Sequence, residues 1–127
     1  MATTAYVFDC IAERELEYRE TPDSTFRKAI VRLGRPYFVP PPAGEEGETA
    51  GHWVGPFEIE IEGEGVRALQ TEGTDAIQAL QLAMVRIGLT LAHLYPGQFT
   101  MDGEPYTGFP TSTSQTSLRQ PTTVVEP

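Results

Sequence analysis

Apolar and charged residues alternate along three segments in the first half of the chain. The segments are residues 11–20 (IAERELEYRE), 26–34 (FRKAIVRLG) and 53–62 (WVGPFEIEIE). A period of two places the apolar side chains on one face of an extended strand and the charged side chains on the other. The pattern therefore predicts three β-strands, each with one buried face. The TPDS sequence at 21–24 predicts a turn that pairs the first two strands.

The second half of the chain opens with the pattern of an amphipathic helix. The N-cap is predicted at Thr74 or Asp75, with Gln78 three residues after Asp75 as in a capping box. The pattern ends at Tyr95, before a Pro-Gly pair that cannot continue a helix. One broad apolar stripe is predicted to cover the sheet. This stripe consists of Ile77, Leu80, Met84, Ile87, Leu91 and Leu94.

A second, narrower apolar stripe lies on the other side of the predicted helix. It consists of Leu82, Val85, Leu89 and Ala92. A helix that is apolar on two faces needs two packing partners. The sheet is one of them. The other is the long loop, the C-terminal segment or a second copy of the protein, and the last of these alternatives predicts a homodimer.

Prolines and glycines interrupt the pattern between the second and third strands. Residues 35–51 (RPYFVPPPAGEEGETAG) are predicted to form a long loop, because proline cannot donate a ladder hydrogen bond and glycine adds chain entropy. The loop is either a mobile surface excursion or a partner-binding flap. In the second case, Tyr37, Phe38 and Trp53 are the aromatic anchors.

Shorter signals complete the predicted fold. VRALQ at 66–70 predicts a short fourth strand, and Asp102-Gly103 predicts a turn in a last small hairpin or in an irregular aromatic flap. We expect an α+β domain over residues 1–109, with an antiparallel sheet of three to five strands covered on one face by a single long C-terminal helix. Residues 110–127 are rich in Ser, Thr and Pro and predict a disordered tail. The alternative is that its last two valines add to the sheet edge of a partner.

The balance of charges narrows the range of partners. The 127 residues include 18 Asp and Glu against 9 Lys and Arg, a formal net charge of −9 in a chain the size of one domain. This charge repels phosphate backbones and anionic membranes, so neither nucleic acid nor a membrane is expected as a partner. No basic leader, no long apolar run and a lone cysteine, Cys10, predict a soluble cytoplasmic protein.

Glutamates mark one face of the predicted sheet. They are Glu13, Glu15 and Glu17 on the first strand and Glu58, Glu60 and Glu62 on the third. If the second strand lies between them, Lys28 and Arg32 project from the same face and form cross-strand pairs. The face is then either a solvated surface or a docking surface for a basic protein. Metal binding is disfavoured, because glutamates two apart on a flat strand are about 6.6 Å apart at Cα and diverge.

The sequence contains none of the usual catalytic or cofactor motifs. His52 and His93 have no Cys or His neighbour at zinc spacing, and HExxH, GxSxG, phosphate-loop and GxGxxG patterns do not occur. Cys10, in the apolar VFDCIA stretch, is interpreted as a small buried hydrophobic residue rather than a nucleophile. The sequence therefore predicts no catalytic residue, no metal site and no cofactor.

Four short motifs together resemble a known family. They are IAER at 11–14, GRP at 34–36, GPFEIEI at 55–61 and GTDAIQALQLA at 73–83. The combination is similar to a family of small bacterial proteins of unknown function, over about residues 11–95. Because the motifs are a strand, a turn and a capped helix, the resemblance implies no reaction and no functional residues.

Two functional hypotheses follow from these patterns. The first is a non-enzymatic acidic protein-binding module of the bacterial cytoplasm, immunity-like or an adaptor, which captures a basic partner through the glutamates. The second is a small-ligand binder or enzyme with a pocket between the sheet, the 35–51 loop and the aromatic 99–109 segment. That pocket would use His52, Trp53, Tyr37 and Tyr106.

Overall fold

The protein has the predicted α+β fold. The structure, a computed structural model, describes residues 7–42, 51–95, 97–104 and 107–110. Within these ranges, six antiparallel strands form one sheet and a single helix packs on it. In chain order the elements are β1 (Cys10–Tyr18), β2 (Arg27–Gly34), β3 (Tyr37–Val39), β4 (His52–Ile61), β5 (Gly65–Gly73), α1 (Ala76–Leu94) and β6 (Phe99–Thr100).

The three long predicted strands form a meander with β2 at its centre. β2 pairs with β1, where Arg32 lies opposite Glu13, and with β4, where Arg32 lies opposite Glu58. β5 returns antiparallel along the whole of β4, from Gly65 opposite Ile61 onwards. The second strand thus lies between the first and the third, the arrangement that the sequence left as a condition. The fourth strand is longer than the predicted VRALQ segment, because it pairs with β4 over nine residues.

β3 lies within the stretch predicted to be a loop. It pairs antiparallel with the start of β4, with Phe38 opposite Trp53. Arg35 and Pro36 separate it from β2, and a proline has no N–H to donate to a ladder. The prediction of an uninterrupted loop is therefore wrong at 37–39. With β3 and β6 included, the sheet has six strands rather than three to five.

Two regions with sequence-based predictions fall outside the described residues. They are residues 43–50 of the long loop and residues 111–127 of the Ser/Thr-rich tail. The aromatic residue Tyr106 also falls outside. The mobile loop and the disordered tail therefore remain predictions at these positions.

Both predicted turns are present. In the β1–β2 connection, Ser24 N–H donates to the Thr21 carbonyl at 3.0 Å. After β6, Asp102 and Gly103 have φ angles of 54° and 83°, as a two-residue hairpin turn requires. An isolated bridge between the two flanking residues closes this turn. The hairpin alternative is thus confirmed over the irregular flap.

The core lies between the sheet and α1. Its strand residues alternate along β1, β2 and β4 as the sequence predicts. The buried cluster is Leu16, Tyr18, Ala29, Val31, Phe57, Ile59, Ile61, Ala83, Ile87, Leu91 and Phe99. Each large apolar side chain in it contributes about 1.5–3 kcal/mol by leaving water, so this single layer of contacts holds the helix on the sheet.

Two glycines allow the first half of α1 to approach the sheet closely. A Cβ on Gly73 would lie 2.7 Å from the backbone N of Ala79, and a Cβ on Gly55 would overlap the Ala79 carbonyl. The Thr71 hydroxyl donates to that same carbonyl oxygen at 3.0 Å. Ala79 is fully buried at this contact, and Ala83, one turn further along α1, is also fully buried. A short distance between backbones therefore selects small side chains here.

The predicted sheet-facing stripe of the helix is correct only in part. Ile87 and Leu91 are buried, whereas Ile77 is 69% exposed and Met84 is 37% exposed. The side chain of Leu94 lies outside the described residues. The buried side is centred on Ala79 and Ala83 instead. Long side chains do not fit there, because Gly55 and Gly73 bring the backbone of α1 close to the sheet.

The helix begins and ends where the sequence predicts. Asp75 is the N-cap, and its carboxylate accepts a hydrogen bond from Gln78 N–H at 2.8 Å. The Gln78 side chain reaches back and accepts from Thr74 N–H at 2.7 Å. Tyr95 is the C-cap. The reciprocal bonds satisfy helix-end donors that would otherwise lack partners.

The last described residues cross α1. Gly88 faces Pro110, and a Cβ at this helical position would overlap the Pro110 carbonyl. Arg14 of β1 fixes the approach to the crossing. Its Nη1 donates to the Thr107 carbonyl at 2.9 Å, and its guanidinium lies 4.9 Å from the centre of the Phe109 ring. The chain after β6 therefore packs on both the sheet and the helix.

Candidate functional site

The predicted glutamates lie on the outer face, the side of the sheet that α1 does not cover. The register of β1, β2 and β4 arranges their side chains in rows across the strands. One row is Glu13, Arg32 and Glu58, and the next is Glu15, Ile30 and Glu60. Glu17 lies opposite Lys28, and Glu62 follows the last residue of β4. The structure therefore brings the six glutamates together.

Arg32 contacts three carboxylates on the outer face. Its Nη2 lies 2.8 Å from Glu60 Oε1, and its Nε lies 3.5 Å from Glu13 Oε1. Its Nη1 lies 3.6 Å from Glu58 Oε1. The hydrogen bond to Glu60 and the attraction of all three carboxylates raise the pKa of Arg32, against the lowering effect of burial. The Arg32 side chain is 24% exposed and that of Glu58 is 22% exposed, so solvent screens this network less than it screens fully exposed pairs.

The other glutamates of the outer face have fewer cationic partners. Lys28 Nζ lies 3.9 Å from Glu15 Oε2. Glu17 accepts hydrogen bonds from Thr100 Oγ1 at 2.8 Å and from a backbone N–H in the β6 turn at 3.2 Å. Glu62 accepts from Lys28 N–H at 3.2 Å. Because the donors to Glu17 and Glu62 are neutral, these two carboxylates keep an uncompensated charge.

The outer face has an excess of negative charge. Its six glutamates face two cations, Lys28 and Arg32, which leaves four formal negative charges. The side chains of Glu13 and Glu15 are 58% and 67% exposed, whereas that of Glu58 is 22% exposed. An accessible excess of one sign steers an oppositely charged protein towards a surface. The most accessible of these negative charges therefore lie on β1, at Glu13 and Glu15.

One end of the outer face is apolar. A Cβ on Gly34 would lie 2.7 Å from the Phe8 ring and 2.9 Å from Pro56 Cγ. Val54 lies two residues before Pro56 on β4, so its side chain points to the same face, and it is 2% exposed. The expectation of a hydrated outer face is therefore wrong at this end, because the segment before β1 packs against it. The glutamate rows occupy the rest of the outer face.

The predicted aromatic anchors do not share one face. Phe38 and Trp53 lie opposite each other, with ring centres 5.7 Å apart, and Phe38 is 46% exposed. Tyr37 lies opposite Val54 and points to the other side of the sheet, because strand residues alternate. Tyr37 is therefore on the outer face with the glutamates. Phe38 and Trp53 are on the helix side and cannot join a flat contact with the acidic rows.

The second predicted site is a pocket between the 35–51 loop and the 99–109 segment. Residues that flank these two loops lie at opposite ends of the sheet. β1 and β4 run in the same direction, since both pair antiparallel with β2. Trp53 lies at the start of β4, whereas Thr100 pairs with Glu17 at the end of β1. His52 Nε2 lies 3.6 Å from Glu72 Oε2 on β5, away from the β6 turn. The β6 turn and the start of β4 are thus not brought together.

Cys10 is exposed, which contradicts its interpretation as a buried hydrophobic residue. The β1–β2 register shifts between Cys10 and Ala12, and such a bulge turns a side chain away from the regular alternation. Its Sγ lies 3.4 Å from the Ala12 carbonyl oxygen. Over the described residues, no group of three or more His, Cys, Asp or Glu side chains converges as a metal site would.

The second helix stripe borders a groove between α1 and β5. The residues that line the groove are Gln70, Thr71, Glu72, Leu82, Val85, Arg86, Leu89 and Thr90. Arg86 reaches β5, where its Nη1 donates to the Gln70 carbonyl at 2.9 Å. Leu82 is 37% exposed, Leu89 and Ala92 are partly buried, and Val85 is 3% exposed. The stripe is therefore not a uniformly open surface.

Sequence reasoning missed the contact between Arg14 and the segment that crosses α1. The available signal was that Arg14 falls on the apolar side of β1, in alternation with Leu16 and Tyr18. A cation on the side of a strand that faces the core indicates a position at the margin of that core, and Arg14 is exposed there. Its hydrogen-bond acceptor, the Thr107 carbonyl, is 93 residues away in the chain, so no local pattern identifies it.

α1 is the one helix of the described ranges whose length and composition would allow it to span a membrane. Its mean hydropathy is 1.2 over Ala76–His93, and 39% of that window is buried in the fold. The core helix of a soluble protein has the same length and composition, so this is a weak indication.

The chain matches one family. Neither a curated protein nor a solved structure matches it. A family model described as a domain of unknown function, DUF6968, matches residues 12–111. The match extends from β1 to the segment that crosses α1, and so includes the glutamate rows and the helix. The chain therefore belongs to the DUF6968 family of domains of unknown function.

Proposed function

We propose that this chain is a non-enzymatic protein-binding module, immunity-like or an adaptor, that captures a basic partner protein in the cytoplasm. The observation that carries the proposal is the excess of four negative charges on the outer face. Complementary charge raises the rate of encounter and disfavours acidic partners. The exposed, free Cys10 fits a reducing compartment.

The position of the charges suggests how the partner docks. Glu13 and Glu15 are on β1 and are more than half exposed. Glu58 and Glu60 are held by Arg32, so they provide a fixed negative surface rather than free side chains. Lysine or arginine side chains of the partner reach the β1 glutamates first. Tyr37, on the same face, offers an aromatic contact at its rim.

The proposal is tested by capture from an extract of the host cell at low salt. The test variant is Glu13→Lys with Glu15→Lys, because these glutamates are accessible and their removal leaves Arg32 with two carboxylates. The matched control is Glu20→Lys with Asp23→Lys, two exposed acids of the β1–β2 connection that are not among the six glutamates. Both double variants change the net charge equally, so a difference between them isolates the outer face.

Wild type and control are expected to recover the same basic protein, and the outer-face variant to lose it. The circular dichroism and melting temperature of all three proteins should be similar, since surface ion pairs contribute little to stability. Recovery of the partner by the outer-face variant, or of no basic protein by wild type, contradicts the proposal.

A further inference from the structure

The groove between α1 and β5 has an apolar wall on the helix side and polar residues on the strand side. The wall consists of Leu82, Val85 and Leu89. Among the described strands, β5 pairs only with β4, and at the groove its Gln70 carbonyl accepts a hydrogen bond from Arg86 of α1. The groove has a volume of about 730 Å³, in the range of sites that hold a ligand or several side chains. Such a surface favours an occupant with some apolar side chains.

The last described residues end beside this groove. Phe109 lies on one side of α1, near Met84 and Ile87. Pro110 crosses the helix at Gly88, which is adjacent to Leu89 and one turn after Val85. The described chain therefore ends next to Gly88, which is the neighbour of Leu89 of the groove.

The remaining chain is long enough and carries suitable side chains. Residues 111–127 follow Pro110, and an extended chain spans at most about 3.3–3.6 Å per residue. The distance along the helix from Gly88 back to Leu82 is only about 9 Å at 1.5 Å per residue. The apolar residues available are Leu118, Val124 and Val125. A tether to Pro110 raises their effective concentration, so few contacts suffice.

We propose that residues 111–127 bind in the groove between α1 and β5 of the same molecule. Leu118 and the Val124–Val125 pair pack against Leu82 and Leu89, and the segment after Pro110 becomes a strap over α1. The strap accounts for the apolar second stripe of the helix and requires no second copy of the protein. It concerns the opposite side of the sheet from the glutamates and does not depend on the proposed function.

The strap is tested with a nitroxide spin label on the full-length chain. The label is attached at Gln120→Cys in a Cys10→Ser background, so that it has one attachment site. The loss of methyl signal intensity caused by the label is measured by NMR for Leu82 and Leu89, with Ile30 on the outer face as reference. The strap predicts a large loss at the two leucines and a small one at Ile30.

A matched pair of tail variants identifies the contacts that hold the strap. Replacement of Leu118, Val124 and Val125 by Asp should abolish the loss of signal. Replacement of Thr116, Thr122 and Thr123 by Asp adds the same charge and should preserve it. Equal signal loss at all three reporter methyls contradicts the proposal. So does signal loss in a mixture where label and isotope are on different molecules, because the occupant is then a second copy.

Discussion

Gly88 is a residue whose missing side chain decides how the chain packs. A glycine within a helix costs about 1 kcal/mol relative to alanine, because it loses more backbone entropy on folding. At this position a Cβ would overlap the Pro110 carbonyl. The glycine therefore allows the contact that seats Phe109 beside Arg14. The low helix propensity of glycine is tolerated at this position because it permits the contact with Phe109 and Pro110.

Gly88→Ala is predicted not to give the usual stabilisation of a helical glycine-to-alanine change. The new methyl group displaces Pro110, and the loss of its contacts offsets the propensity gain of about 1 kcal/mol. Urea unfolding should show an unchanged or lower free energy of unfolding. Exchange of the backbone amides should be faster at residues 107–109. A gain of about 1 kcal/mol with unchanged protection of that segment would contradict the packing described for Gly88.

Tyr18 is predicted to reduce the stability of the protein at alkaline pH. Burial raises its pKa, because the phenolate is poorly solvated beside Tyr95 and Phe99, and Glu64 and Glu20 add to the shift. A group whose pKa is raised on folding stabilises the fold below its unfolded pKa of about 10, and this contribution is lost as the pH rises through the folded pKa.

The measurement is the free energy of unfolding as a function of pH for wild type and Tyr18→Phe. The variant has no phenol to ionise at this position, so its stability should fall less between about pH 9 and pH 11. Identical slopes for the two proteins would show that Tyr18 does not contribute to the alkaline loss.

At the scale of elements, the sequence predicted features that depend on neighbouring residues and did not predict pairings between distant segments. The ends of α1 follow from Asp75 and Tyr95, because capping depends on residues within one turn. The strand faces follow from alternation in the same way. β3 was missed because its pairing with β4 depends on residues distant in sequence. The rotation of α1 was misjudged because Gly55 and Gly73 set its distance from the sheet.

Asp75→Ala is predicted to destabilise the fold by about 1 kcal/mol, the typical cost of losing an N-cap acceptor. The side chain accepts from Gln78 N–H at 2.8 Å, and alanine leaves that donor to water. Urea unfolding measures the change. Asp75→Asn retains an acceptor and should cost less, so equal losses in the two variants would argue against capping as the cause.

At the scale of the whole molecule, the sheet separates two surfaces with different chemistry. The outer face has six glutamates around Arg32 and Lys28, and the opposite face has α1 and the segment that crosses it. Alternation predicted which residues share the acidic face. It did not predict that Phe8 covers one end or that Thr100 binds Glu17, because both contacts join distant parts of the chain.

The most direct test of the acidic face is the dissociation constant of the captured complex as a function of salt concentration. An electrostatic docking surface predicts that affinity falls steadily as salt rises, since screening weakens exposed charge interactions. The dependence should be shallower for Glu13→Lys with Glu15→Lys and unchanged for Glu20→Lys with Asp23→Lys. An affinity independent of salt, or an equal effect of both double variants, would contradict capture through the outer face.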